Sequence, residues 1–237
     1  MIALAFAGLG LLCLALAALT LRAIGPGYRV ARLLAAAPEV PLAEAAALAD
    51  SDERRYVRTR GRISSEEEFP DEHDRPLVHR RTRVEVSDGR GGWRVVSDDR
   101  ESVPFGIEAR SEFLAVDAGA LDIGLVVLSR ESVGEAADLP ANLGVGLDPR
   151  SAARLVIHQV AAVEHAVVCG VPVAGPDGRP VITAGGGRPL ILTTLDAPAA
   201  MRILAGHHRP LVIISAALLV AALASFAVAA VAFIGAN

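Results

Sequence analysis

Six carboxylates crowd into the nine residues from Glu66 to Asp74: Glu66, Glu67, Glu68, Asp71, Glu72 and Asp74. Carboxylates at that density can ligate a divalent cation or receive a basic partner. The run lacks the Asp-x-Asp-x-Asp-Gly spacing that cages calcium, and Pro70 interrupts it, so it reads as an interaction surface rather than a metal site. Crowded like charges are costly to bury together, which predicts an exposed loop of little folding energy, partly neutralised by Arg75, Arg80, Arg81 and Arg83. His158 and His165 stand seven apart and would fall on opposite faces of one strand; only a turn between them could bring them to a shared metal. Cys13 and Cys169 lie in regions of opposite character and offer no disulfide framework. All 23 basic residues are Arg, so no side-chain amine is present for Schiff-base chemistry. There is no Gly-x-Ser-x-Gly elbow, no Gly-x-x-x-x-Gly-Lys loop, no HExxH and no CxxC. The residues therefore name no catalytic, cofactor-binding or metal-binding set, and no cofactor is expected. A hydrolase assembled from scattered polar residues is the weakest reading.

The elements that would position such residues are set by charge. Ile2 to Leu21 and Leu211 to Ile234 carry none, and every charged side chain lies between Arg22 and Arg209. Crossing a hydrocarbon core takes roughly 20 apolar residues, so both segments read as transmembrane helices, 1–24 and 210–235. A cleaved signal peptide would carry a basic residue ahead of a shorter apolar run, and a lipoprotein would place small residues before its cysteine, whereas Cys13 follows Leu11 and Leu12. Arg22, Arg29 and Arg32 follow the first span, and His207, His208 and Arg209 precede the second. These six are the candidate membrane-surface contacts; Arg29 and Arg32 near anionic headgroups would each be worth about 1 kcal/mol, the alternative being charges that only set topology. By the positive-inside rule the intervening domain faces the cytoplasm, with both termini outside, in a two-pass protein of the cell membrane. Only Thr20, Ser215 and Ser225 are polar at depth, which argues against a transporter or proton pathway.

Between the spans, Gly25-Pro26-Gly27 predicts a break, and 25–54 reads as a juxtamembrane stalk with a short alanine-rich helix ending near Asp50. From 55 to 209 the pattern is β-rich. Strands are expected at Arg55–Ile63, Leu77–Val86, Trp93–Val96, Glu112–Val116, Ile123–Ser129, Val163–Val173, Arg179–Thr183 and Leu190–Thr194, with a long loop at Leu139–Arg150 and a helix at Asp196–Leu204. The fold class is thus membrane-anchored α+β, two transmembrane helices flanking a barrel- or sandwich-like soluble domain. A net charge of −4 and a pI near 5.9 exclude nucleic acid as a main partner. Membrane lipid and an unidentified protein are the expected partners, and no small-molecule substrate is indicated.

Several runs carry a resemblance: Val57-Arg58-Thr59-Arg60-Gly61-Arg62-Ile63, Pro76-Leu77-Val78 leading to Val84-Glu85-Val86, Trp93, Val103-Pro104-Phe105, Ala166-Val167-Val168-Cys169-Gly170-Val171 and Pro189-Leu190-Ile191-Leu192-Thr193. With the order span, strand-rich domain, span, the chain from Tyr28 to Ile234 resembles the GIDE, or "beside a membrane" (BAM), domain of the MULAN-like membrane-anchored ubiquitin ligases. The resemblance implies a β-rich domain beside a membrane, and in that family ligase activity resides in a RING that binds two zinc ions through eight Cys and His ligands. This sequence holds two Cys and six His, one Cys within the first span, so a RING is not expected. The leading expectation is a doubly anchored, non-enzymatic module whose domain binds a protein, or lipid, at the membrane. The alternative is a substrate-recruiting component of a ubiquitin-ligase-like system encoded elsewhere.

Overall fold

The computed structural model describes residues 2–89, 91–140, 143, 146–206 and 209–234. The chain divides into two compact units, one of Met1–Ala35 with Pro198–Asn237 and one of Ala36–Ala197.

The first unit is helical. α1 (Ile2–Ala36) is a single helix of 35 residues. Gly25-Pro26-Gly27 does not break α1 as expected. A mid-helix proline removes one backbone bond, but the apolar period resumes beyond it, with Val30 and Leu34 buried and Arg29 and Arg32 exposed, and carries the helix on.

The second unit begins with α2 (Leu42–Ala49), which Pro41 precedes. Its Leu42 and Ala45 join the main hydrophobic core and it packs on the strands that follow. The segment read as a stalk is therefore, from Ala36 on, part of the folded unit. The strands are β1 (Val57–Ser64), β2 (Phe69–Pro70), β3 (Pro76–Ser87), β4 (Trp93–Ser102), β5 (Gly106–Ala109), β6 (Glu112–Val116), β7 (Leu125–Val126), β8 (Ser129–Glu135), β9 (Ala152–Ala161), β10 (His165–Ala174), β11 (Pro180–Thr183) and β12 (Ile191–Thr193). α3 (Ala197–Gly206) then leads towards α4 (Arg209–Ile234).

Five strands close on themselves in the order β1-β5-β6-β11-β10-β1. All pairs are antiparallel except β6 with β11. Numbered along the chain these are barrel strands 1-2-3-5-4, the connectivity of the OB-type Greek-key barrel, and closure removes the open edges. Strand β1 shows why the sequence folds this way: in Val57-Arg58-Thr59-Arg60-Gly61-Arg62-Ile63 the odd positions are buried and the arginines point outward. Gly61 is required, because a Cβ there would come within 2.7 Å of the Glu108 carbonyl oxygen. Inside sit Val57, Ile63, Ile107, Leu114, Val168 and Ile182, each at most 1% exposed and each worth roughly 1.5–3 kcal/mol of burial. β12 extends β10, and β7 lies beyond it.

A second sheet is built from the two chain segments inserted between barrel strands. β3 is flanked by β4 and β2 on one side and by β9, then β8, on the other. β2, β5, β8 and β9 are additions to the expected strands, β4 runs six residues beyond Val96, and the expected strand Ile123–Ser129 divides into β7 and the start of β8. Leu139–Arg150 contains no helix or strand among its described residues. The strands on either side of it belong to one sheet, since β9 after it pairs with β3 and β8 before it.

Candidate recognition site

A groove of about 390 Å³ opens where the chain leaves β1 and enters β5. Its walls are Ser64 to Glu67 on one side and Asp177 and Arg179 of the β10–β11 hairpin on the other; Phe105, Phe113 and Ala115 supply an apolar floor. Gly106 makes room for the aromatic floor, as a Cβ there would lie 2.5 Å from Phe113 Cζ. Phe113 is nonetheless 41% exposed. The Ser65 hydroxyl lies 2.6 Å from the carbonyl oxygens of both Glu67 and Pro104, fixing the wall to the chain entering β5.

The acidic run is thus divided rather than uniformly solvated. Glu66, Glu67 and Glu68 are exposed, and the first two line the groove. Phe69–Pro70 is the short strand β2, and Glu72 and Asp74 are exposed in the turn that follows. Asp71 is the correction: expected in an exposed surface, it is buried with no solvent contact at its side chain. It accepts the backbone N–H groups of His73 (2.7 Å) and Arg75 (2.9 Å), and Arg75 Nε (2.7 Å). These donors replace the water that burial removes, so a single carboxylate of the run is buried with its charge satisfied. The Arg75 backbone N–H, with the His73 N–H and the Arg75 side chain, holds Asp71 at about 2, against the burial that opposes it.

The barrel also carries a larger cleft of about 630 Å³. Arg60 and Arg62 of β1, Glu108 of β5, Arg110 of the β5–β6 turn, His165 of β10 and Asp196 before α3 carry its charge. Arg60 is held by Glu39 at 2.6 Å.

The second sheet carries a polar network. Arg81 binds Asp98 through two bonds of 2.7 Å and Asp122 at 3.0 Å, Arg100 binds the same Asp122 at 2.9 Å, and Arg154 binds Glu85 at 2.6 Å while lying over the Trp93 ring. The Arg81 hydrogen bonds hold Asp98 at about 2. His79, 1% exposed, is held at about 4 first by burial and then by Arg100 and Arg81, and neither ring nitrogen has a hydrogen-bond partner. His158 is likewise lowered, mainly by burial. His158 lies on β9 and His165 on β10, in different sheets, so the two do not share one strand. Among the described residues no three His, Cys, Asp or Glu form a cluster able to hold a metal. Burial raises Cys169 to about 12, leaving no thiolate at neutral pH.

No family model, curated protein or solved structure matches the chain. The likeness to the GIDE domain therefore rests on the sequence echoes alone.

Two helices are long and apolar enough to cross a membrane, Leu4–Arg22 and Leu211–Val231, with mean hydropathies of 2.4 and 2.7. Only 11% and 17% of these stretches are buried, and Leu11, Leu19, Ile213, Leu223 and Val231 point outward. Arg22, Arg29 and Arg32 are exposed on α1. His207 and His208, and the side chain of Arg209, lie outside the described residues. The groove was half legible in the sequence: the acidic run named Glu66 and Glu67, while Phe113 and the β10–β11 hairpin, brought in by barrel closure, left no local signal.

Proposed function

We propose that the protein is a two-span membrane protein whose β-barrel unit is a recognition module, held at the cytoplasmic face of the cell membrane, and that the groove between Glu67 and Asp177 receives a cationic segment of a partner protein. The single observation that carries this is the convergence of two loops over an exposed aromatic floor. In barrels of this connectivity the face of the second and third strands, with the loops after strands one and four, is where ligands lie; that is an analogy of fold. Here that face is edged by Glu66, Glu67 and Asp177 against one Arg179, which repels polyanions and attracts Lys or Arg. Phe113 offers a surface for the aliphatic stem or the cation itself. The membrane location is supported by the outward apolar side chains of α1 and α4, which would be an aggregation liability in water.

The test is affinity isolation of the full chain from native membranes beside two variants, Phe113→Ala and the triple Glu66→Gln, Glu67→Gln, Asp177→Asn. A partner present with the wild type and lost, in a salt-dependent way, with both variants is the expected result. An identical set of co-purified proteins in all three samples would remove the groove from the proposal.

A further inference from the structure

The geometry points to the larger cleft as a binding site for a singly charged phosphodiester of the kind an anionic phospholipid headgroup presents; this rests on the membrane reading above. Arg62 sits at the centre, its backbone flanked by Glu108 on β5 and His165 on β10. Although Glu108 is its register neighbour, no ion pair joins Arg62, or Arg110, to a described carboxylate. Both guanidiniums line the same cavity, and its volume falls within the range of small-molecule sites.

Arg110 adds an independent observation. It occupies the β5–β6 turn at φ 59°, in the left-handed region that favours glycine or asparagine, and its neighbour Ser111 does not share that conformation. A side chain retained at such a position costs stability, and strain of this kind collects at ligand sites. Thr194 brings a hydroxyl to the rim. Two planar guanidinium forks, a histidine and a hydroxyl suit phosphate oxygens. Glu108 and Asp196 are in the same cleft and oppose a multiply charged ligand, which selects a monoanionic diester over a polyphosphate. Asp196 directly precedes α3, and its ten residues account for most of the chain between the cleft and Leu211, where the second apolar stretch begins.

The full chain in detergent is tested by native mass spectrometry with phosphatidylglycerol and with diacylglycerol, which lacks the phosphate, and by calorimetric titration with inorganic phosphate. The comparison is the double variant Arg62→Gln, Arg110→Gly, in which glycine also relieves the turn. Retention of phosphatidylglycerol over diacylglycerol, reduced about tenfold or more in the double variant, is expected. Phosphate binding that falls in the same variant, without lipid retention, would support the phosphate chemistry and assign it to a soluble source. Equal lipid retention by wild type and variant, or by the two lipids, with no phosphate binding, would overturn the site. Alkaline carbonate extraction of the same membranes checks the membrane reading separately: release of the wild type would sink that reading while the phosphate titration still judged the cleft.

Discussion

Asp71 and Glu67 are four residues apart and chemically alike, yet the fold uses them oppositely. Glu67 is solvated at a groove edge, where an exposed charge adds little to stability. Asp71 closes the β2–β3 turn through main-chain donors that nothing else satisfies. Asp71→Ala should therefore lower the melting temperature of the full chain by several degrees, whereas Glu66→Gln with Glu67→Gln should leave it within about 2 °C, as thermal scans in detergent would show. Because Asp71 lies below the ordinary 3.8 in the folded state, its contribution is present above pH 4 and is lost as pH falls towards about 2. His79 acts in a different window. Folding lowers it from 6.5 to about 4, so the unfolded chain takes up its proton first, and about 3 kcal/mol of stability is lost as pH falls from 6.5 to 4. His79→Leu removes a buried imidazole without partners; it should hold or raise the melting temperature at pH 7 and flatten its decline across that window. An unchanged pH profile in that variant would show that the lability arises elsewhere.

At the scale of elements, strands with alternating or β-branched sequence were legible and strands defined by partners were not. β6 was expected at the residues where it occurs, and β1, β3, β10, β11 and β12 within two residues at either end, because inward Val, Ile and Leu alternate or run together there. β8, Ser129-Arg130-Glu131-Ser132-Val133-Gly134-Glu135, is exposed throughout and has no apolar face to announce it; only pairing with β9 makes it a strand. The polar end of β4 exists because Asp98 meets Arg81 across the ladder. In the helical unit the decisive contact is steric. A Cβ on Gly10 of α1 would lie 2.9 Å from the Phe226 ring of α4, so the glycine allows the two helices to approach. Gly10→Leu should loosen the pair, and adding Phe226→Ala should restore part of the loss. Thermal unfolding of the single and double variants in detergent gives the coupling, and independent, additive effects would show that the two residues do not meet.

At the scale of the molecule, α1 and α4 form an antiparallel pair: Gly10 adjoins Phe226, and the Ser215 hydroxyl donates to Thr20 Oγ1 at 2.8 Å. Ala17 and Ala222, each 1% exposed, line the same helical unit as small residues that permit close packing. If both helices cross a bilayer, their antiparallel pairing puts Ile2 and Ile234 on the same side of it, without any appeal to charge. Charge then chooses the side. Arg22, Arg29 and Arg32 stand after the first apolar stretch and Arg202 and Arg209 before the second, and the cytoplasmic orientation proposed above rests on these five charges. Reporters that are active only outside the cell, fused at Met1 and at Asn237, should both be active, and one inserted at the exposed Asp177-Gly178 turn should be silent. The reverse pattern at all three positions would keep the hairpin and invert its orientation. Activity at one terminus and not the other would dissolve the pairing itself, and with it the argument that the Ser215–Thr20 hydrogen bond and the Gly10–Phe226 contact hold two spans together.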